Sequence, residues 1–398
     1  MTIKIERNKL LEALQSIYAA TGKSGAYCEQ HRCFIFRTKE KSLTIEASDS
    51  ELFMSKKLAI ENTDYDSRDF ALFAPQFIKA IKSVDEQPLE LEVLEYQIIV
   101  RHSVGSFALP LVDCVPLYDN MRKPELDYSR VHRLAFEAPG LYSILNKCKY
   151  ALADDDLRPV LNGVCMSLKK DYTDFAASDG HKLVRIRKQS IKDERPVDFV
   201  FPKKVINILL KILPKTGFVD IWFNEYDYTW KPEEHNGKSA PSYGCLMSID
   251  GTELLFRPIP GRYPNFESVI PSAFSKELTI NRKQLLKSIE RLSQFANDSS
   301  RLITFNLNPT RLMMQAEDKD FATQGCEVLL CTYSGEVCRV GFKDVTLIQT
   351  LRNSTAPDMI FKGIDSSKAF IIEPSVQPDS EEITMLLMPM IINDKDND

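Results

Sequence analysis

Ser178, Asp179 and His181 place a hydroxyl, a carboxylate and an imidazole within four residues, the three groups of an acyl-transfer triad. Side chains on one turn diverge, however, and a triad works by convergence in space beside an oxyanion hole. Nothing nearby supplies such a hole, so this stretch does not read as a nucleophile with its base. Cys326, Cys331 and Cys338 are the next groups capable of chemistry. They lack the paired spacing of zinc ligands and fall in strand-like sequence, which predicts buried thiols rather than a metal site. The five histidines, at 31, 102, 132, 181 and 235, are dispersed. No Gly-x-x-x-x-Gly-Lys loop is present to cradle a nucleotide phosphate. The expectation is a protein without catalysis, cofactor or metal.

The remaining chemistry is cationic. Successive helical residues lie about 100° apart, so faces follow from spacing. Lys283, Lys287 and Arg291 fall on one side of a helix-like stretch, opposite Leu285, Ile289 and Leu292. Lys203, Lys204, Lys211 and Lys215 gather opposite Val205, Leu209, Ile212 and Leu213. Lys79 and Lys82 flank a polar edge opposite Phe77, Ile81 and Val84. A lysine on the polar face of one helix is ordinarily just solvated. Equivalent helices facing one surface would instead sum to a positive lining that meets phosphates without reading sequence. The chain is acidic as a whole, with 51 Lys+Arg against 56 Asp+Glu and a net charge of −5. Contact with nucleic acid therefore requires segregated charge.

Three segments repeat the order of elements that would place these helices. Each opens with a short alternating strand and a helix-like stretch: Ile3-Lys4-Ile5 before 8–20, Leu134-Ala135-Phe136 before 138–151, and Leu278-Thr279-Ile280 before 281–296. Strand patterns follow at 33–36, 163–168 and 302–307, and a second helix is predicted from 74, from 201 and from 341. Pro75 and Pro202 suit a first helical turn. More alternating strands close the segments, as at Leu89-Glu90-Leu91-Glu92-Val93 and 384–388. Such fixed-period similarity indicates repeated α+β modules of ordinary domain size. Linkers fall near 123–133 and 271–277, giving modules 1–126, 127–273 and 274–398. The polar stretch Asn224 to Gly244 reads as a hairpin excursion of the middle module. Hydrophobic residues at 43% and charged residues at 27% are those of a soluble globular chain. No apolar run approaches the ~20 residues of a membrane span. The first residues alternate like a strand and lack the features of a signal peptide. Nine scattered cysteines fit reduced thiols in a cytosol.

Four motifs carry a family resemblance: Arg158-Pro159-Val160-Leu161-Asn162-Gly163; Ala177-Ser178-Asp179-Gly180-His181-Lys182-Leu183; the run from Gly261-Arg262-Tyr263-Pro264 to Pro271; and Leu387-Met388-Pro389-Met390. In this order and spacing the chain resembles the β subunit of bacterial DNA polymerase III, the β sliding clamp family, over essentially its whole length. The resemblance implies three clamp-fold domains per chain and a head-to-tail homodimer, a six-domain ring with helices around the hole and antiparallel sheets outside. It implies a cytoplasmic, nucleoid-associated processivity factor on double-stranded DNA, with no membrane role. Partners would be the polymerase α subunit, the clamp loader, other polymerases and repair proteins.

It further implies a hydrophobic peptide pocket lined by Leu161, Ser178, Gly180, His181, Lys182, Leu183, Pro264, Ser268, Val269, Leu386, Met388, Pro389 and Met390. Met and Leu would give that pocket an adaptable apolar surface. DNA contacts are expected from Lys23, Lys79, Lys82, Lys147, Arg158, Lys203, Lys204, Lys211, Lys283, Lys287 and Arg291. Ring closure is expected from Phe107 and Leu109 on one side, and from Leu292 and Phe295 on the other. The chain departs from the family at Pro159-Val160, where aromatics are common, and in its acidic extension beyond Met390.

Overall fold

The computed structural model describes residues 1–22, 28–39, 41–62, 67–119, 121, 123–224, 244–378 and 380–392. The first run of elements is β1 (Thr2–Glu6), α1 (Arg7–Ile17), β2 (Cys33–Lys39), β3 (Ser42–Ser48), β4 (Leu52–Ala59), β5 (Glu61–Asn62), β6 (Phe70–Phe73), α2 (Ala74–Lys82), β7 (Pro88–Val93), β8 (Gln97–His102), β9 (Gly105–Pro110) and α3 (Val115–Asp119). The second is β10 (Val131–Glu137), α4 (Ala138–Lys149), β11 (Gly163–Leu168), β12 (Thr173–Ser178), β13 (Lys182–Lys188), β14 (Val197–Pro202), α5 (Lys203–Ile212), β15 (Phe218–Asn224), β16 (Cys245–Ile249) and β17 (Thr252–Phe256). The third is β18 (Lys276–Asn281), α6 (Arg282–Leu292), β19 (Leu302–Asn308), β20 (Arg311–Asp318), β21 (Thr323–Leu330), β22 (Thr332–Ser334), β23 (Cys338–Lys343), α7 (Asp344–Arg352), β24 (Asp358–Gly363), β25 (Phe370–Pro374) and β26 (Glu381–Leu387).

Among the described residues all strand pairing is antiparallel, and it repeats three times. The strand before each first helix pairs with the strand after each second helix: β1 with β7, β10 with β15, β18 with β24. That half continues to β8 and β9, to β16 and β17, and to β25 and β26. In the other half, β2, β11 and β19 each lie between the strand that precedes the second helix and a meander ending in β4, β13 or β21. Two pairings join successive repeats, β17 with β4 and β26 with β13. The chain divides into two compact units, Met1–Tyr142 with Asn207–Pro258 and Ser143–Ile206 with Ile259–Asp398. These units do not follow the three repeats, because each inter-repeat pairing merges halves of two neighbours into one sheet.

Local chemistry explains the elements. In α6, Leu285, Ile289 and Leu292 are buried while Lys283, Lys287 and Arg291 are exposed, the 3.6-residue period of an amphipathic helix. The Asn281 side chain accepts from the Gln284 N–H at 3.1 Å and caps its start. Pro75 occupies the first turn of α2. Pro202 does not begin a helix. It ends β14 opposite Gly163, and α5 starts at Lys203. Gly163 is required by crowding, since a Cβ there would lie 2.5 Å from the Phe201 carbonyl oxygen. All nine cysteines are free thiols, but Cys326 is exposed and Cys331 and Cys338 are half-buried, against the expectation of burial. They sit on or beside the short sheet β21-β20-β19-β23, whose strand β21 alternates exposed and part-buried residues along its length. Among the described residues no helix is long and apolar enough to cross a membrane, and no cluster of His, Cys, Asp or Glu is arranged to hold a metal.

Candidate functional site

The second unit contains a cavity of about 230 Å³ beside the β13–β26 seam. Its floor is built where Leu183 pairs with Leu386 across that seam, and where Ile371 pairs with Leu386 on the next strand. These residues pack with Leu161, Cys165, Ala176 and Tyr263 in one buried cluster. The turn between β12 and β13 forms one wall and is held by its own polar groups. The Asp179 carboxylate accepts from the His181 and Lys182 N–H groups at 2.8 and 2.9 Å. The Ser178 hydroxyl donates to the Lys182 carbonyl at 2.8 Å and accepts from the Gly180 N–H at 3.1 Å. The turn thus consumes the hydroxyl and carboxylate that might have suggested a triad. Gly180 has φ +91°, a left-handed conformation that favours glycine.

The opposite wall is the segment from Tyr263 to Val269. Glu267 opens a short 3₁₀ turn there, and Arg187 holds it at 2.9 Å. Arg187 is itself fixed by two bonds of 2.8 and 2.9 Å to the buried Asp174 carboxylate and lies over the Tyr172 ring at 3.8 Å. Burial pushes the Tyr263 hydroxyl far above its ordinary pKa, so it stays protonated. At the mouth, the Met388 N–H donates to the His181 carbonyl at 2.9 Å, and the residue is 42% exposed. The result is a largely apolar trough with a flexible thioether at its rim.

Of the residues expected in a pocket, Leu161, Ser178, Gly180, Lys182, Leu183, Pro264, Val269, Leu386 and Met388 line this cavity. His181, Ser268, Pro389 and Met390 do not. His181 contributes its backbone, and the Ser268 hydroxyl turns back to the Asn265 carbonyl at 2.7 Å. Met390 bridges to Gly341 beside β23, with its N–H 2.8 Å from the Gly341 carbonyl, and this directs the chain after Met388 elsewhere. Arg158, Tyr263, Asn265, Phe266 and Ala369 line the cavity without having been expected there. The first four lie inside the motifs already singled out. Ala369 gives no sequence signal.

Lys79 and Lys82 on α2, Lys204 and Lys211 on α5, and Lys283 and Lys287 on α6 are exposed, each helix burying its apolar side. Lys147, Arg158, Lys203 and Arg291 are engaged by carboxylates. Lys147 meets Glu381 at 2.9 Å and is only 21% exposed. Arg158 bonds Asp155 at 2.8 Å, and Lys203 meets Asp154 at 3.1 Å. Arg291 grips Glu327 on β21 with two bonds of 2.6 Å, which holds the Glu327 carboxyl below its ordinary pKa. Lys23 lies outside the described residues, as does the excursion between Asn224 and Gly244.

Among the four residues expected at a subunit contact, Phe107 is half-buried and Phe295 is 39% exposed, whereas Leu109 and Leu292 are buried. Leu292 and Phe295 brace β21, because a Cβ on Gly325 would lie 2.9 and 3.0 Å from their side chains. Leu292 is thus a core support of that strand. The exposed apolar groups on β21 are Val328 and Leu330, which the sequence reading passed over.

Comparison with known proteins matches residues 137–265 to the DNA polymerase III beta subunit, central domain, and residues 267–391 to the DNA polymerase III beta subunit, C-terminal domain. The chain is 21% identical to the beta sliding clamp of Chlamydia pneumoniae over 365 residues, covering 90% of this chain and 91% of that one. It is 20% identical to the beta sliding clamp of Vibrio cholerae over 381 residues, covering 96% and 97%. The crystal structure of the DNA polymerase sliding clamp from Bacillus subtilis superimposes with a TM-score of 0.85 at 19% identity, covering 99% of this chain and 100% of that one. The repeated antiparallel halves and the two family domains agree, and the chain belongs to the DNA polymerase III β subunit family of sliding clamps, whose members are non-catalytic processivity factors.

Proposed function

We propose that two copies of this chain close head to tail into a ring of six clamp domains, bounded in each copy at 1–126, 127–273 and 274–398, and that the ring encircles duplex DNA. The observation that carries this reading is the pattern of strand edges. Each junction within the chain joins the last strand of one repeat's second half to the last strand of the preceding repeat's first half, β17 to β4 and β26 to β13. By the same rule β9 and β21 are left, each paired on one side only among the described residues. Their pairing with each other across two copies is a heterologous contact that closes a ring. Phe107 and Leu109 of β9 then meet β21, which Phe295 flanks and Leu292 supports from the core.

In this ring the exposed lysines of α2, α5 and α6 face the hole and meet phosphates weakly, so that the clamp slides. The cavity beside β13 and β26 takes short hydrophobic motifs of the replicative polymerase, the clamp loader and repair proteins. Tethering through it raises their effective concentration at the template. The setting is the bacterial cytoplasm, at the nucleoid. Loaded on a circular plasmid by a clamp loader, the protein is expected to remain through gel filtration and to leave once the plasmid is cut. Equal retention on circular and linear DNA would overturn encirclement in favour of an open DNA-binding scaffold.

A further inference from the structure

The first unit holds a second cavity, of about 270 Å³, at the equivalent place in the repeat. It lies beside the β4–β17 seam, where Phe53 pairs with Leu255 and Leu246 pairs with Leu255 on the next strand. Those positions correspond by strand register to Leu183, Leu386 and Ile371 of the cavity described above. The correspondence extends to a buried tyrosine, since Tyr118 of α3 packs edge-on against Phe53 at 6.4 Å and is buried, as Tyr263 is in the other cavity.

The polar groups differ. Lys123 is exposed and lies over the rings of Phe53 and Tyr118, 5.5 and 5.2 Å from their centroids. Among the described residues no carboxylate pairs with it. Of the two carboxylates in the lining, Glu46 is held by Arg37 at 3.4 Å and Glu253 accepts from the Ser55 hydroxyl at 3.3 Å. Among the described residues the floor therefore offers Phe53, Leu246 and Leu255, with one cation above it that lies over π faces.

We propose that this cavity is a second peptide-docking site, selective for an apolar anchor residue flanked by an acidic one. The anchor seats on Phe53, Leu246 and Leu255, and the acidic side chain takes the Lys123 ammonium in a charge-assisted hydrogen bond. The proposal rests on the peptide-binding reading of the first cavity and extends it to the preceding junction of the repeat. Each chain then carries two sites of one backbone design and different charge selectivity.

The test is calorimetric titration of the full-length protein with a synthetic hexapeptide carrying a Leu-Phe anchor flanked by aspartates, and with its lysine-flanked counterpart. The aspartate peptide is expected to bind at two sites per chain, reduced to one by Met388→Asp at the first cavity. Lys123→Glu is expected to weaken the other site about tenfold or more, the contribution of a charge-assisted bond, and to strengthen the lysine peptide there. Lys123→Met retains an apolar stem over the rings and is expected to weaken the aspartate peptide alone. Both positions are exposed, and unchanged melting temperatures confirm that the variants fold. One site per chain, abolished by Met388→Asp and indifferent to Lys123→Glu, overturns the second site and leaves the first. Two sites both indifferent to Lys123 overturn the assigned location. Binding of neither peptide by any form overturns both readings.

Discussion

The two seams that join successive repeats share an antiparallel design and differ in what surrounds it. Along β13–β26 seven residue pairs are in register, and the seam is flanked by buried charge. Glu381, 8% exposed, bonds Lys147 at 2.9 Å and Lys188 at 3.1 Å. Beside it Arg185 bonds both Glu382 and Thr384. Along β4–β17 five pairs are in register, and the polar contacts reach the surface. Lys56 donates to the Asp250 carbonyl, and the Asp250 side chain is 88% exposed. The repeat sets where strands meet, while the side chains decide how firmly they are held.

The largest expected effect comes from breaking the buried charge cluster. Glu381→Gln leaves Lys147 and Lys188 half-buried without their partner and is expected to cost about 3 kcal/mol in urea unfolding. The loss should depend on pH with a defined sign. Burial pushes the Glu381 carboxyl up, but the two ammonium groups outweigh it and hold it below its ordinary value of 4.5. Its stabilisation is therefore present above that value and fades as pH falls through the lowered folded-state pKa. The gap between wild type and Glu381→Gln should be full at neutral pH and close in acid. A gap that widened below pH 4 would contradict the assigned cluster. At the other seam, Lys56→Ala is expected to cost about 0.5 kcal/mol or less, because its partner groups remain solvated. Equal losses at the two seams would erase the distinction drawn between them.

The repeat was legible because its signals are local. Alternation at 89–93 and the helical spacing of Leu285, Ile289 and Leu292 report burial of one face wherever the chain later packs. Pro202 was misplaced because a proline before a helix also suits the end of an extended strand, and here pairing with Gly163 decides the matter. The cavity was legible where motifs are contiguous, as at Ser178 to Leu183. It was not legible at Met390, whose direction depends on a bridge to Gly341. Ion pairing was the least legible property. Lys147 and Glu381 are 234 residues apart, so no spacing rule could tell that lysine from a phosphate contact. That β9 and β21 are the strands left over by the inter-repeat rule emerges only from the pairing of β17 with β4 and of β26 with β13.

Ring closure through those two edges is the claim on which DNA encirclement depends, and native mass spectrometry of the intact chain at micromolar concentration tests it most directly. The expected species has twice the 45.4 kDa chain mass and is converted to single chains by Val328→Pro on β21. A wild-type protein found only at 45.4 kDa would contradict it.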